Sequence, residues 1–218
     1  MAQKTTYLWQ NGNNNVADVE QMACMSTDDN FIYATQSGNA NQLTTFQKGW
    51  DNYLELFQTG NGNSANMEQK TCDFGTTHGF NTADVYQEGN NNEANLSQME
   101  EDGNANDGWF IIPIPELDRS MNVANAVQSG NKNSYSLDQG REVFRPENES
   151  YLLQSGNSNE AEIGQLGIKN YSEIRQTGNA NLADLLQTGA DFPLFTTFDE
   201  SFSWQTGNNN DLMVKQLG

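Results

Sequence analysis

Few residues in this sequence of 218 residues are of the types that carry catalysis or hold a metal. His78 is the only histidine, and the cysteines Cys24 and Cys72 lack further histidine or cysteine partners for a zinc site. Residues 102–108 resemble a calcium loop, but the glycine falls one place late and Pro113 stands where the bidentate Glu is needed. We therefore predict no catalytic residue, no metal and no cofactor, and calcium binding by residues 102–108 stays open.

The two cysteines leave a second question open. Cys24 and Cys72 each follow a glutamine by three residues, in connections that belong to repeats two apart. Two repeats stacked as strands lie about 9.6 Å apart, which exceeds the usual Cα separation of a disulfide. A disulfide would require the connections to bend, so a bridge and two free thiols are both open.

The chemistry that recurs at fixed spacing is that of amide side chains. One phrase occurs eight times: Gln-x-Gly-Asn-x-Asn, followed by five residues and a second Gln. The two glutamines of a phrase therefore always stand eleven residues apart. An amide donates and accepts hydrogen bonds, so identical amides can form a column without any charge. We predict ladders made of Gln10, Gln21, Gln36, Gln47, Gln58, Gln69, Gln87, Gln98, Gln128, Gln139, Gln154, Gln165, Gln176, Gln187, Gln205 and Gln216, and of Asn15, Asn41, Asn63, Asn92, Asn133, Asn159, Asn181 and Asn210.

The residues around these amides alternate with the period of a β-strand. After the turn, Asn63, Ala65, Met67 and Gln69 fall on one face while the intervening residues are polar. The same spacing precedes the phrase, where an Asn stands six residues before the first Gln in six repeats. Each repeat is therefore predicted to be a strand, a turn and a strand, with turn glycines suited to positive φ at Gly12, Gly38, Gly60, Gly89, Gly130, Gly156, Gly178 and Gly207.

These repeats predict an all-β fold, a two-sheet β-solenoid of eight strand-turn-strand rungs that stacks into a cross-β filament. Rungs would repeat about every 4.8 Å. The phrase starts of the first half recur 118 residues later, which indicates a tandem duplication: a four-rung unit at 1–98, a junction at 99–121 and a second unit at 122–218. One continuous stack and two separate stacks both fit this pattern.

The repeat resembles that of curlin, the secreted subunit of bacterial curli amyloid fibres. The inward residues of the curlin repeat correspond to Gln58, Gly60, Asn63 and Gln69 and to their counterparts in the other seven repeats. The sequence departs from that pattern at two positions. One is the upstream position, six residues before the first Gln, which is Asn in six repeats, and the other is the Ala that follows the turn. The departures with other residues are Lys4 and Asp199 upstream, and Leu43, Tyr135 and Leu212 in place of Ala.

The resemblance implies a structural role in a biofilm matrix and in cell adhesion. It implies a secreted protein that forms an extracellular fibre on the bacterial cell surface. Its implied partners are further copies of itself, a curli-type nucleator and an outer-membrane secretion pore. The sequence begins without a secretion signal, so an exported protein is expected here in its mature form.

Composition agrees with a stacked structure rather than a globular one. Only 35% of the residues are hydrophobic and the net charge is −19, values that delay collapse of an unfolded chain. Nucleic-acid binding is disfavoured because only ten Lys and Arg are present. No apolar run of about 18 residues exists, so membrane insertion is not predicted.

Outward positions of the first strands carry aromatic residues, which predict an aromatic column several rungs long. Such patches usually mark an interface, here a lateral one between filaments. Coverage by the apolar residues 109–115 of the same chain is an equal alternative. The residues assigned to the lateral interface are Tyr33, Tyr53, Phe57, Tyr86, Tyr151 and Tyr171.

Two classes of function remain. The first is a fibre subunit that polymerises head-to-tail, which is expected because the first strand starts at Lys4, the last closes at Gln216, and no capping element is apparent. The second is a monomeric β-solenoid adhesin or ligand-binding protein. Terminal caps would favour the second class.

Overall fold

The computed structural model describes residues 3–23, 29–49, 51–71, 80–99, 121–140, 147–167, 169–188 and 199–217. All regular structure in these ranges is β-strand. The strands are β1 (Gln3–Asn11), β2 (Val16–Met22), β3 (Asp29–Ser37), β4 (Gln42–Gly49), β5 (Tyr53–Asn61), β6 (Ser64–Thr71), β7 (Phe80–Asn90), β8 (Glu93–Met99), β9 (Met121–Asn131), β10 (Ser134–Gln139), β11 (Glu147–Asn157), β12 (Glu160–Leu166), β13 (Asn170–Asn179), β14 (Leu182–Thr188), β15 (Asp199–Asn208) and β16 (Asp211–Leu217).

The strands form two parallel eight-stranded sheets. Odd-numbered strands make one sheet in the order β1-β3-β5-β7-β9-β11-β13-β15, and even-numbered strands make the other in the same rung order. The predicted two-sheet β-solenoid of eight rungs is therefore confirmed. Pairing continues from β7 to β9 and from β8 to β10, so the described strands form one stack rather than two.

The repeated phrase fixes the register of every strand pair. Gln58 lies opposite Gln36 and Gln87 in the first sheet, and Gln69 lies opposite Gln47 and Gln98 in the second. A slip by one residue would turn the inward amides to solvent and the outward acidic residues into the core. The register is therefore specified by which side chains can be buried between the sheets and which must stay in solvent.

The core lies between the two sheets, and the two strands of a rung share its volume. Most positions equidistant from the turn combine a large residue with a small one, as Leu56 does with Ala65, although Leu54 and Met67 are both large. Where the second strand departs from Ala, the first strand supplies a small partner: Leu43 with Ala34 and Tyr135 with Ala126. Side chains of alternating size fill such a core without voids, which explains why these departures fit.

The turn glycines are needed for two reasons. Their φ angles lie between 110° and 120°, as the sequence predicts, in a region that L side chains rarely adopt. The turns also stack so closely that a Cβ added at Gly89 would lie 1.7 Å from the carbonyl oxygen of Gly130 in the next rung. The residue two positions after each glycine is left-handed as well, even where it is Ala40 with φ of 57°.

We expect Gly89→Ala to destabilise the fold by about 3 kcal/mol or more, because it adds backbone strain to a backbone clash. Gly164→Ala is the matched control, since Gly164 has no positive φ and its added Cβ would meet the flexible Leu186 side chain at 3.1 Å and backbone only at 4.0 Å. Denaturant midpoints followed by circular dichroism compare the two variants. Equal midpoints would show that the close stacking of the turns contributes nothing.

Candidate functional site

Two ladders of glutamines run through the core along the stacking direction. In the first sheet Gln36 Nε2 donates to Gln58 Oε1 at 2.9 Å, and Gln58 Nε2 donates to Gln87 Oε1 at 2.9 Å. The second N–H of Gln58 donates to the backbone carbonyl of Gln42 at 3.0 Å. Each internal amide is therefore bonded both along its ladder and to a backbone carbonyl of the opposite sheet. All fourteen ladder bonds measure 2.6–3.0 Å and point towards later rungs.

The predicted asparagine ladder follows the turns and runs in the opposite direction. The backbone N–H of Asn63 donates to Asn41 Oδ1 at 3.0 Å. Its side-chain Nδ2 donates to the carbonyl of Thr59 in its own turn and to that of Gly89 in the next. The asparagines from Asn41 to Asn181 are buried. They hold each turn closed while joining it to its neighbours.

A third column consists of the asparagines that precede the phrases. Asn52 Nδ2 donates to Asn30 Oδ1 at 3.0 Å, and Asn81 Nδ2 donates to Asn52 Oδ1 at 3.3 Å. The column continues through Asn122, Asn148 and Asn170, again with each rung donating to the one before it. It therefore has a fixed donor-to-acceptor direction.

A fourth ladder was not assigned from the sequence. It consists of exposed asparagines at the apex of each turn, where Asn39 donates from both its backbone N–H and its Nδ2 to Asn61 Oδ1 at 3.0 Å. The signal was present, because this position is Asn in every phrase. The members are Asn13, Asn39, Asn61, Asn90, Asn131, Asn157, Asn179 and Asn208.

The ladders are open at the two outermost rungs. Strands β1 and β2 form one end of the stack and β15 and β16 the other, and each pairs on one side only within the described chain. Leu8 occupies a core position of the first rung, yet 45% of its surface is exposed, whereas Ala34 beside it is fully buried. At the other end, Leu212 and Val214 are only half-buried. Both ends of the described stack therefore present the cross-section of the core.

The outward aromatic residues form two clusters instead of the single column expected from the sequence. The first contains Tyr33, Phe57 and Tyr86, with ring centroids 5.6 Å and 4.9 Å apart, and also includes Tyr53 stacked on Phe31 at 5.1 Å. The second contains Tyr151, Tyr171 and Phe202, with centroids 5.6 Å and 5.4 Å apart. The register distributes these residues over three neighbouring columns, and β9, between the clusters, has Val123, Asn125 and Val127 in those columns. Residues 109–115 lie outside the described residues, so their covering of this face stays a prediction.

Two stacked carboxylates interrupt the first cluster. Glu55 lies opposite Asp84, and desolvation raises the pKa of Asp84, with the charge of Glu55 raising it further. Tyr53 donates its hydroxyl to Glu55 at 3.2 Å, and partial burial is the largest cause that raises the pKa of Tyr53. The same cause raises the pKa of Tyr86. Tyr53 and Tyr86 therefore stay neutral beside a repulsive acidic pair, and Tyr53 donates a hydrogen bond to it.

Within the described ranges, no group of three or more His, Cys, Asp and Glu side chains is arranged to hold a metal ion. His78, Cys24, Cys72 and residues 102–108 all lie outside those ranges, so the expectations about them are not tested. None of the described segments is a helix long and apolar enough to cross a membrane. What the described residues offer chemically is directional hydrogen bonding.

We expect Gln58→Leu combined with Gln69→Leu to destabilise the stack strongly. The double change leaves the donors of Gln36 and Gln47 and the acceptors of the following rung unpaired, at about 1–3 kcal/mol per buried group. The denaturant midpoint and the rate of assembly should both fall.

Gln42→Leu is the matched control for this change, because the Gln42 side chain is exposed on the outer face. Glu68→Ser, also outward, should change stability little. If the buried and exposed glutamine variants unfold at the same denaturant concentration, the ladders do not stabilise the fold.

Neither the protein-family models nor the curated proteins contain a match to this chain.

Proposed function

We propose that this chain is the structural subunit of a secreted, self-assembling curli-like amyloid fibre that grows by head-to-tail stacking of rungs. The observation that carries the proposal is the pair of open ends, which present the same columns of amides. A copy added at either end would continue both sheets with strands perpendicular to the fibre axis. That arrangement is the cross-β geometry of amyloid.

The direction of the glutamine ladders supports joining of unlike ends. At the last rung Gln205 Nε2 donates to the carbonyl of Leu182 and keeps a second N–H that no described residue accepts. At the first rung Gln10 Oε1 accepts no hydrogen bond from the described chain. The last rung of one copy thus offers donors where the first rung of the next offers acceptors. Joining two first rungs would instead set acceptor against acceptor.

A contact between unlike ends does not close on itself. It is heterologous, so each added copy exposes the same end again and a filament results rather than a ring. Unpaired strand edges are ready templates for such addition. The proposed partner is therefore first of all another copy of this chain.

The setting of the fibre rests on the resemblance to curlin. It supports a location outside the cell on a bacterial surface, with biofilm matrix and adhesion as the role. It also supports a nucleator and an outer-membrane secretion pore as partners. No catalytic activity, nucleic acid or membrane insertion is part of the proposal.

A monomeric β-solenoid adhesin is the second candidate function. The exposed apex asparagines and the two aromatic clusters favour it, because they form extended surfaces able to contact a polar or apolar ligand. A monomer would need its ends covered, whereas a fibre needs them open. The experiments below separate the two candidates.

We expect Gly207→Ala to block fibre growth while leaving the monomer folded. In its own chain the added Cβ would meet nothing closer than Asn210 Nδ2 at 3.6 Å. In a fibre that keeps the internal spacing, it would meet the Gly12 carbonyl of the next copy, as a Cβ at Gly12 would lie 1.8 Å from the Gly38 carbonyl. The positive φ of Gly207 adds strain of about 1–3 kcal/mol to the monomer.

Thioflavin fluorescence with preformed wild-type seeds measures the elongation rate of this variant, and circular dichroism checks its fold. Asn209→Ala is the control, because it lies in the same turn and Ala40 already occupies the equivalent position of another rung. Elongation of Gly207→Ala at the control rate would exclude stacking through the last rung and would favour the adhesin.

We expect Tyr33→Ser, Tyr53→Ser and Phe57→Ser together to leave the rungs intact but to loosen lateral packing of fibres. These side chains point outward, so their loss removes apolar contact area without opening the core. Electron microscopy of fibre width and bundling measures the effect. Thr35→Ser, in the same column as Phe57, is the control. Unchanged width would mean that this face is not a lateral interface.

A further inference from the structure

We propose that the two end rungs carry complementary charges that make one copy recognise the next: Lys4 with Asp199, and Glu20 with Lys215. This inference rests on the proposed head-to-tail fibre and specifies its joining surface. The partner it fits is a second copy of this chain. The charges add selectivity to amide ladders that are alike in every rung.

The first pair terminates the column of upstream asparagines. Every pair of neighbouring rungs keeps the same register, with Lys4 opposite Asn30 at one end and Asn170 opposite Asp199 at the other. Continuing that register across a junction places Lys4 of the added copy opposite Asp199. Only the two terminal rungs depart from Asn in this column, and their charges are opposite.

The direction of hydrogen bonding in this column agrees with the pair. Each rung donates to the one before it, as Asn52 does to Asn30. A lysine is a donor only and a carboxylate an acceptor only, so Lys4 of the added copy continues the direction by donating back to Asp199. Reversed charges at the two ends would oppose that direction.

The end of this column has buried acceptors in need of donors. Asp199 Oδ2 is buried and has no hydrogen-bond partner, and Asn170 Oδ1 beside it is also buried without one. An Asn at position 199 would donate to Asn170, as Asn170 itself donates to Asn148. The chain thus carries an acid that leaves its neighbour unpaired. A buried unpaired carboxylate oxygen is costly, and an ammonium group from the next copy would remove that cost.

The second pair lies on the outer face of the other sheet. Glu20 and Lys215 occupy one column, at its first and last rungs, and both are exposed. Neither forms an ion pair with any described residue. Glu68, which lies in the same column, does form one, with Lys70. Stacking sets Lys215 of one copy against Glu20 of the next. Both charge pairs therefore form at the same junction.

Exposed tryptophans complete the surface. Trp9 and Trp204 share one outward column at the first and last rungs and are 68% and 71% exposed. The same register would place Trp204 against Trp9 of the added copy, and Phe202 against Tyr7. Offset aromatic contacts of this kind add about 0.5–1.5 kcal/mol beyond area burial. Two copies that each carry a net charge of −19 repel one another, so attraction confined to the ends favours end-to-end joining.

The test exchanges the charges at positions 4 and 199 and measures how fast each kind of chain elongates each kind of seed. The swapped variant combines Lys4→Asp with Asp199→Lys, so its own junctions keep an opposite pair. Swapped chains should elongate swapped seeds, although below the wild-type rate, because the reversed pair keeps the charge attraction but opposes the hydrogen-bond direction of the column. They should elongate wild-type seeds about tenfold more slowly or worse, because like charges then face each other across either end.

A second measurement separates recognition from simple folding. Asp199→Asn should raise the denaturant midpoint of the monomer, since Asn170 gains a donor, and should slow elongation of wild-type seeds. Stability and assembly would then move in opposite directions, which a purely structural role for Asp199 does not produce. Glu68→Gln is a control for loss of an outward acid away from the ends.

The outcomes distinguish the two levels of proposal. If wild-type chains elongate wild-type seeds but swapped chains elongate both kinds of seed equally, the charge recognition is wrong and the fibre proposal stands. If wild-type chains form no fibres and no seeds extend, the fibre proposal fails and the recognition fails with it. Selective elongation within each charge type supports both.

Discussion

The structure depends on one constraint: a buried amide must find a partner in the rung above and in the rung below. Gln58 meets this requirement through Gln36, Gln87 and the carbonyl of Gln42. No single rung can satisfy its own amides, so stability is a property of the stack. The same constraint explains why the end rungs of the described stack keep unpaired amide groups, since Gln205 and Gln10 each have a ladder neighbour on one side only.

Ladders and core pairs restrict the sequence in different directions. Along the stack, identity is required, because an amide bonds only to a group of matching geometry. Across a rung, the identity of the apolar residues can vary, and Tyr135 is accepted where Ala126 gives it room. Burial raises the pKa of Tyr135, which keeps its hydroxyl neutral in the core. Departures from the repeat are therefore found mainly among core pairs, while the inward glutamines do not vary.

Much of the fold followed from spacing alone. Fixed phrases specify strand, turn and register, so the two sheets and the inward Gln and Asn columns were predictable. The second reason why position 89 must be glycine could not be predicted from the sequence. A Cβ there would clash with a carbonyl of the next rung, and this depends on how tightly the turns stack. The division of the aromatic residues into two clusters also required the register between rungs, since it places Val123, Asn125 and Val127 of β9 in the columns that are aromatic elsewhere. The unpaired oxygens of Asn170 and Asp199 are visible only once donors and acceptors are assigned.

A surface made only of amide ladders cannot distinguish one rung from another. Any rung with the same Gln and Asn columns would continue the stack, and a partly folded copy would offer several such rungs. Selectivity must come from positions that differ between rungs while keeping the ladders intact. The upstream column is such a position, because Asn30 through Asn170 are alike and Lys4 and Asp199 are not. In the proposed fibre, affinity comes from what all rungs share, and the order of joining comes from what the terminal rungs alone carry.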